Sequence, residues 1–169
     1  MKHIGITLAF LALFSVACGT LSQTPEERRH NEELVLQRLD NRSYTIDINY
    51  MIPLRGPGRA LTSPYSITVD GTTIISHLPY IGEARNVPYG GGKVLNFKDQ
   101  IDEYADTGFQ NDRRKIVFVT NNDEDIIMYT ILISGNGNAT VSVRCRNRED
   151  ISYRGTLDPE KEIASDDSH

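Results

Sequence analysis

Residues 126–145, IIMYTILISGNGNATVSVRC, decide how this chain folds. From Ile126 to Ile133 an extended backbone would present apolar side chains on both faces, which predicts a central or doubly covered strand. Gly135-Asn136-Gly137-Asn138 then supplies residues that tolerate the turn conformations of a hairpin. The chain returns with Ala139, Val141 and Val143 on one side and Thr140, Ser142 and Arg144 on the other, the period-two pattern of a strand with one buried face. An antiparallel pair is the consequence.

The same period extends outward in both directions. Downstream, Asn147 to Asp150 turn into Ile151-Ser152-Tyr153. Upstream lies an apolar strand from Lys115 to Thr120, and further back Tyr44, Ile46, Ile48 and Tyr50 alternate with Thr45, Asp47 and Asn49. A Pro- and Gly-rich turn at 53–58 leads to a strand over 64–69, and Asp70-Gly71 turns it back into 72–78. Val94, Leu95 and Phe97 are strand-like. Residues 99–106 suit either one helical turn or a paired strand. Together these segments predict a mainly β domain over 43–156, an antiparallel sandwich or partly closed barrel of about eight strands. Neighbours in sequence should be neighbours in the sheet.

One helix precedes the strands, within 24–42. Thr24 is a capping residue, Pro25 takes the first helical position, and Glu27 completes a capping box. Its apolar residues, Leu34, Val35, Leu36 and Leu39, lie only in the second half. The first half should therefore stand in solvent as a spacer while the last turns dock. At the other end, 157–169 is acidic and nearly without apolar residues, the composition of a disordered tail.

The chain starts with Lys2 and an apolar run from Ile4 to Ala17, too short to span a bilayer and organised as a secretory signal over 1–17. Ser15-Val16-Ala17-Cys18 resembles the lipobox of bacterial lipoproteins, with Ser15 where leucine is usual. The resemblance implies cleavage before Cys18, lipid attachment to it, and a lipidated tether over 18–23. Ordinary signal peptidase cleavage at the same small residues is the competing expectation. The protein is expected to be exported and lipid-anchored to the bacterial outer membrane, facing the periplasm or the surface. Of its two cysteines, lipidation of Cys18 would leave Cys145 as a lone, half-buried thiol; a bridge between them is the minority alternative.

The formal net charge of −5 comes without any basic run, so nucleic acid is a poor partner. Removing Lys2 makes the balance one unit more negative. Beyond the signal the histidines are His30, His77 and His169, too scattered for a metal site. Ser76 and His77 are adjacent on a strand and point to opposite faces, so they do not form a catalytic pair. Asp123-Glu124-Asp125 lacks the spacing of a calcium loop and is read as a solvated turn. Gly90-Gly91-Gly92-Lys93 lacks the spacing of a phosphate loop. No catalytic residue, metal or cofactor is expected. The alternative is a hydrolase in which two of Asp99, Asp102, Glu103 and Asp106 converge.

The most shaped loop is Ser76 to Gly92, SHLPYIGEARNVPYGGG, in which prolines fix φ and glycines admit φ above zero. Eight tyrosines and no tryptophan make Tyr80 and Tyr89, with Arg85, the candidate binding residues for an envelope protein or a glycan. A rigid corner that merely closes the sheet is the competing role.

The chain resembles the bacterial domain-of-unknown-function family numbered 4251. The resemblance rests on Leu61-Thr62-Ser63, on His77-Leu78-Pro79-Tyr80-Ile81-Gly82-Glu83-Ala84, on Pro88-Tyr89-Gly90-Gly91-Gly92, and on Asn136-Gly137-Asn138-Ala139, Asn147-Arg148 and Ile151-Ser152-Tyr153 in that order. It spans 43–155. It implies an exported, often lipoprotein-like protein of a Gram-negative envelope and carries no assigned catalytic residue. A non-catalytic envelope domain that binds a partner protein or ligand is the expectation; a purely structural envelope protein is the other.

Overall fold

Thr24 opens the first element as its sequence requires. Its Oγ1 accepts the Glu27 backbone N–H at 3.2 Å while the Glu27 carboxylate accepts the Thr24 N–H at 2.7 Å, so two of the four orphan donors of a helix start are satisfied reciprocally. Helix α1 runs Pro25–Asp40 and buries only Val35 and Leu39. Residues 24–30 are all exposed. The expected spacer, docked by its last turns, is what the chain builds. The computed structural model describes residues 24–83, 95–122, 125–161 and 163.

Nine strands follow among the described residues: β1 (Ser43–Pro53), β2 (Arg59–Asp70), β3 (Thr73–His77), β4 (Asn96–Gln100), β5 (Glu103–Gln110), β6 (Arg113–Asn121), β7 (Ile126–Ser134), β8 (Asn138–Cys145) and β9 (Ile151–Leu157). All pairs are antiparallel and form one sheet in the order β4-β3-β2-β1-β9-β8-β7-β6-β5. The sheet curls into a half-barrel. Its two edges, β4 and β5, are consecutive in sequence, and the short link between them is bonded on both sides: Ile101 N–H to the Thr72 carbonyl and Asp102 N–H to the Val119 carbonyl. Of the two expected architectures, the partly closed barrel is the one formed.

The concave side is solid. Tyr44, Phe118, Tyr129 and Tyr153 are fully buried with Ile46, Ile67, Ile74 and Ile116 around them, and stacked rings run from Tyr104 through Phe118 to Tyr129. Inward and outward residues alternate along β6 to β9 as period two demands.

Local expectations are settled or corrected at four places. β7 is an interior strand, but it is not covered on both faces: Met128 and Leu132 are 38% and 37% exposed. The register of β1 shifts between Ile48 and Tyr50, so Met51 takes the inward place and Tyr50 lies half-buried beside Arg154. Of the two readings open for 99–106, the paired strand is the one formed, β5 running against β6. Finally, β9 runs one residue past the boundary drawn at 156. Leu157 pairs with Ile46, is buried, and continues the inward series Ile151, Tyr153, Gly155. Beyond it the first tail residues are tied down, by Arg38 Nε donating to the Pro159 carbonyl at 2.9 Å and by Lys161 to Asp47 at 2.6 Å.

Candidate functional site

The shaped loop leaves the sheet at the end of β3, and its stem is held by buried tyrosines. Ser76 points inward and His77 outward, as adjacent strand residues must. Ser76 Oγ donates to the Leu95 carbonyl at 2.8 Å and receives the Tyr129 hydroxyl at 3.1 Å; His77 is exposed against the Tyr65 ring. Tyr153 donates its hydroxyl to the Pro79 carbonyl at 2.6 Å. The backbone entering the loop is therefore fixed from inside the barrel.

The next contacts fix it from the side. Tyr80 donates its hydroxyl to the Glu149 carbonyl at 3.0 Å. Glu83 N–H donates to the Glu149 carboxylate at 3.2 Å, and Glu149 N–H returns a bond to the Glu83 carbonyl. Arg55, exposed on the β1–β2 turn, bridges the Glu149 and Glu83 carboxylates at 3.1 and 3.5 Å. Below this, Asp125 is buried beside Arg148 with 3.9 Å between the charged atoms, and its carboxylate accepts the Ile126 and Asn147 N–H groups. The solvated turn expected for Asp123-Glu124-Asp125 is thus wrong at Asp125, because those backbone donors need an acceptor where two strands end. Asp123 and Glu124 lie outside the described residues.

Protonation follows from burial. Removal from water raises the Tyr80, Tyr129 and Tyr153 phenols, the Ser76 bond offsetting part of this at Tyr129. All three are neutral donors at physiological pH. Burial, with Asp125 nearby, pushes the Cys145 thiol up to about 12, which leaves it a protonated, inert core residue.

Of the three candidate binding residues, Tyr80 is described: its ring is half-buried and its hydroxyl is engaged. Arg85 and Tyr89 lie outside the described residues, as does Cys18. The four carboxylates of the hydrolase alternative are not joined to one another. Burial alone would raise the Asp106 carboxyl, but bonds from the Arg114 guanidinium and the Gly108 N–H outweigh it and hold the group below the usual carboxylate range. Asp99 accepts its neighbour's N–H at Gln100. Sequence reasoning missed Arg55 and Glu149; Glu149 sits in a stretch of charges that reads as solvated turn, and nothing local marks it as buried.

The architecture defines the class first: a one-sheet antiparallel half-barrel with a capped helix in front. The family model described as "Domain of unknown function (DUF4251)" matches residues 26–157, and the chain belongs to that family. Among solved structures it is similar to the crystal structure of a DUF4251 family protein from Bacteroides eggerthii DSM 20697, at 15% identity and a TM-score of 0.54, covering 76% of this chain and 87% of that one. At that identity the likeness speaks for the fold alone. No curated protein matches.

Proposed function

We propose that this chain is a non-catalytic domain of the bacterial cell envelope, exported, lipid-anchored through Cys18 to the outer membrane on its periplasmic or surface side, and built to bind a partner protein or ligand. The observation that carries the binding role is the stem of the 76–92 loop. Tyr153 on β9 and Glu149 on the β8–β9 turn hold Pro79, Tyr80 and Glu83, and a preorganised stem lowers the ordering cost of recognition by whatever it presents. Asp106, held ionised by Arg114, is a poor proton donor, which weighs against the hydrolase alternative.

Native mass spectrometry of the full chain, extracted gently from its own envelope, tests this reading. An acyl mass at Cys18 together with a co-purifying protein or glycan is expected. An unacylated chain would remove the anchor, and an acylated chain that carries nothing would favour a purely structural role. Tyr80→Ala and Tyr89→Ala separate the two: a binding loop loses its partner, whereas a structural corner loses only stability.

A further inference from the structure

The convex side of the sheet carries a feature unconnected with that loop. Where β6 to β9 and β1 run side by side, a groove of about 290 Å³ opens, with Leu132 and Thr140 in its floor and Arg113 and Arg154 among its lining residues. Register fixes its dimensions. Leu132 pairs with Thr140 and Thr140 with Arg154, so Leu132 and Arg154 stand two strand spacings, about 10 Å, apart across the floor. Arg113 lies one step along, opposite Ser134.

Charge makes the groove distinctive. The chain is acidic overall, at −5, and Arg144, exposed on β8, is paired with Asp150 at 3.1 Å. Among the described residues, no carboxylate pairs with Arg113 or Arg154; Arg154 instead lies over the Tyr50 ring at 5.7 Å. Two exposed guanidinium groups in a concave surface concentrate positive potential there. Their planar forks match the paired oxygens of carboxylate or sulfate. The remaining polar lining consists of hydroxyls and amides, Ser134, Thr140, Thr156, Asn49 and Asn138, which both donate and accept hydrogen bonds and so match sugar hydroxyls. Leu132 is the one large apolar contributor, too little for an acyl chain.

We propose that this groove binds an acidic glycan, a saccharide chain bearing carboxylate or sulfate groups that lies between Arg113 and Arg154 with its hydroxyls on the floor.

Calorimetric and NMR titration of the full chain with short oligogalacturonates, heparin oligosaccharides, neutral malto-oligosaccharides and polyglutamate tests it. Expected is binding of one or both acidic glycans, weakened by salt, with amide shifts centred on Ser134, Asn138, Thr140 and Thr156. The Arg113→Ala/Arg154→Ala double variant should lose at least about tenfold in affinity at an unchanged unfolding midpoint, while Arg144→Ala stays near wild type. The galacturonate and heparin arms distinguish carboxylate from sulfate. Absence of binding by both at millimolar concentration, equal binding of polyglutamate, equal loss in Arg144→Ala, or shifts elsewhere on the sheet would each overturn the proposal. The shift map is read on the native chain and so decides the matter even if a variant misfolds.

Discussion

Arg114 Nη1 on β6 donates to the Asp40 carboxylate at 2.6 Å, and this bond joins the last turn of α1 to the sheet. The same guanidinium holds Asp106 on β5 through Nε and Nη2. The Arg114 side chain is only 9% exposed, against 66% for Asp40 and 19% for Asp106. The two halves of the clamp should therefore differ in strength. Arg114→Leu strands a largely buried carboxylate and is expected to cost about 1–3 kcal/mol. Asp40→Ala removes a solvent-screened partner and should cost no more than about 1 kcal/mol. Urea unfolding of the two variants measures the difference, and equal effects would contradict the assignment.

Acid should dissolve the clamp in a defined window. The folded Asp106 carboxyl sits below its unfolded value, so its contribution is complete above the unfolded value of about 3.9. It is lost as pH falls through the lower folded value. The stability gap between wild type and Asp106→Asn is expected to narrow as pH is lowered from about 6 to about 2. A gap that holds constant over that range would mean that the carboxylate does not titrate against Arg114.

Gly155 marks a tight approach of two strands in the sheet. It lies opposite Ile48, where the β1 register shifts, and a Cβ there would overlap the Asp47 carbonyl oxygen and crowd Ile48 Cδ1. The obstacle is backbone, which cannot rotate away. Gly155→Ala should cost about 1–3 kcal/mol or more and should broaden the amide signals of β1 and β9. A variant as stable as wild type would show that the shifted register can relax.

Cys145 should be silent in the native protein. Its thiol is buried and remains protonated to about 12, so Ellman's reagent at pH 8 is expected to react at the rate of unfolding and to label at once in urea. Because the folded thiol ionises later than the unfolded one, near 8.5, its contribution to stability is complete below that value and falls as pH rises toward 12. Rapid native labelling would place the thiol at the surface.

What could be read from the residues alone was whatever repeats locally. The capping box at Thr24, the β7–β8 hairpin around Gly137 and the alternation of β8 depend on neighbours in sequence, and all formed as expected. β5 was ambiguous because it turns Asp106 inward; a charge on the buried face breaks the apolar period, and the Arg114 that makes it tolerable is a cross-strand partner. Tyr50 was misplaced because a bulge shifts every side chain beyond it. Tyr80 stood out by its proline and glycine neighbours, whereas Glu149, which receives it, is polar sequence with no local sign of burial.

The position of β9 bears on how the molecule is made. Among the described strands, β9 comes after the other eight in sequence and is the middle one of the sheet. Before it arrives, β1 to β4 form one ribbon of sequential strands and β5 to β8 another, joined in sequence through the Ile101-Asp102 crossing. Every other pairing is between consecutive strands; that of β1 with β9 alone closes a loop of nearly the whole domain, the kind of contact that slows folding. A chain emerging N-terminus first therefore carries two half-sheets with open edges until β9 is available to pair with both β1 and β8.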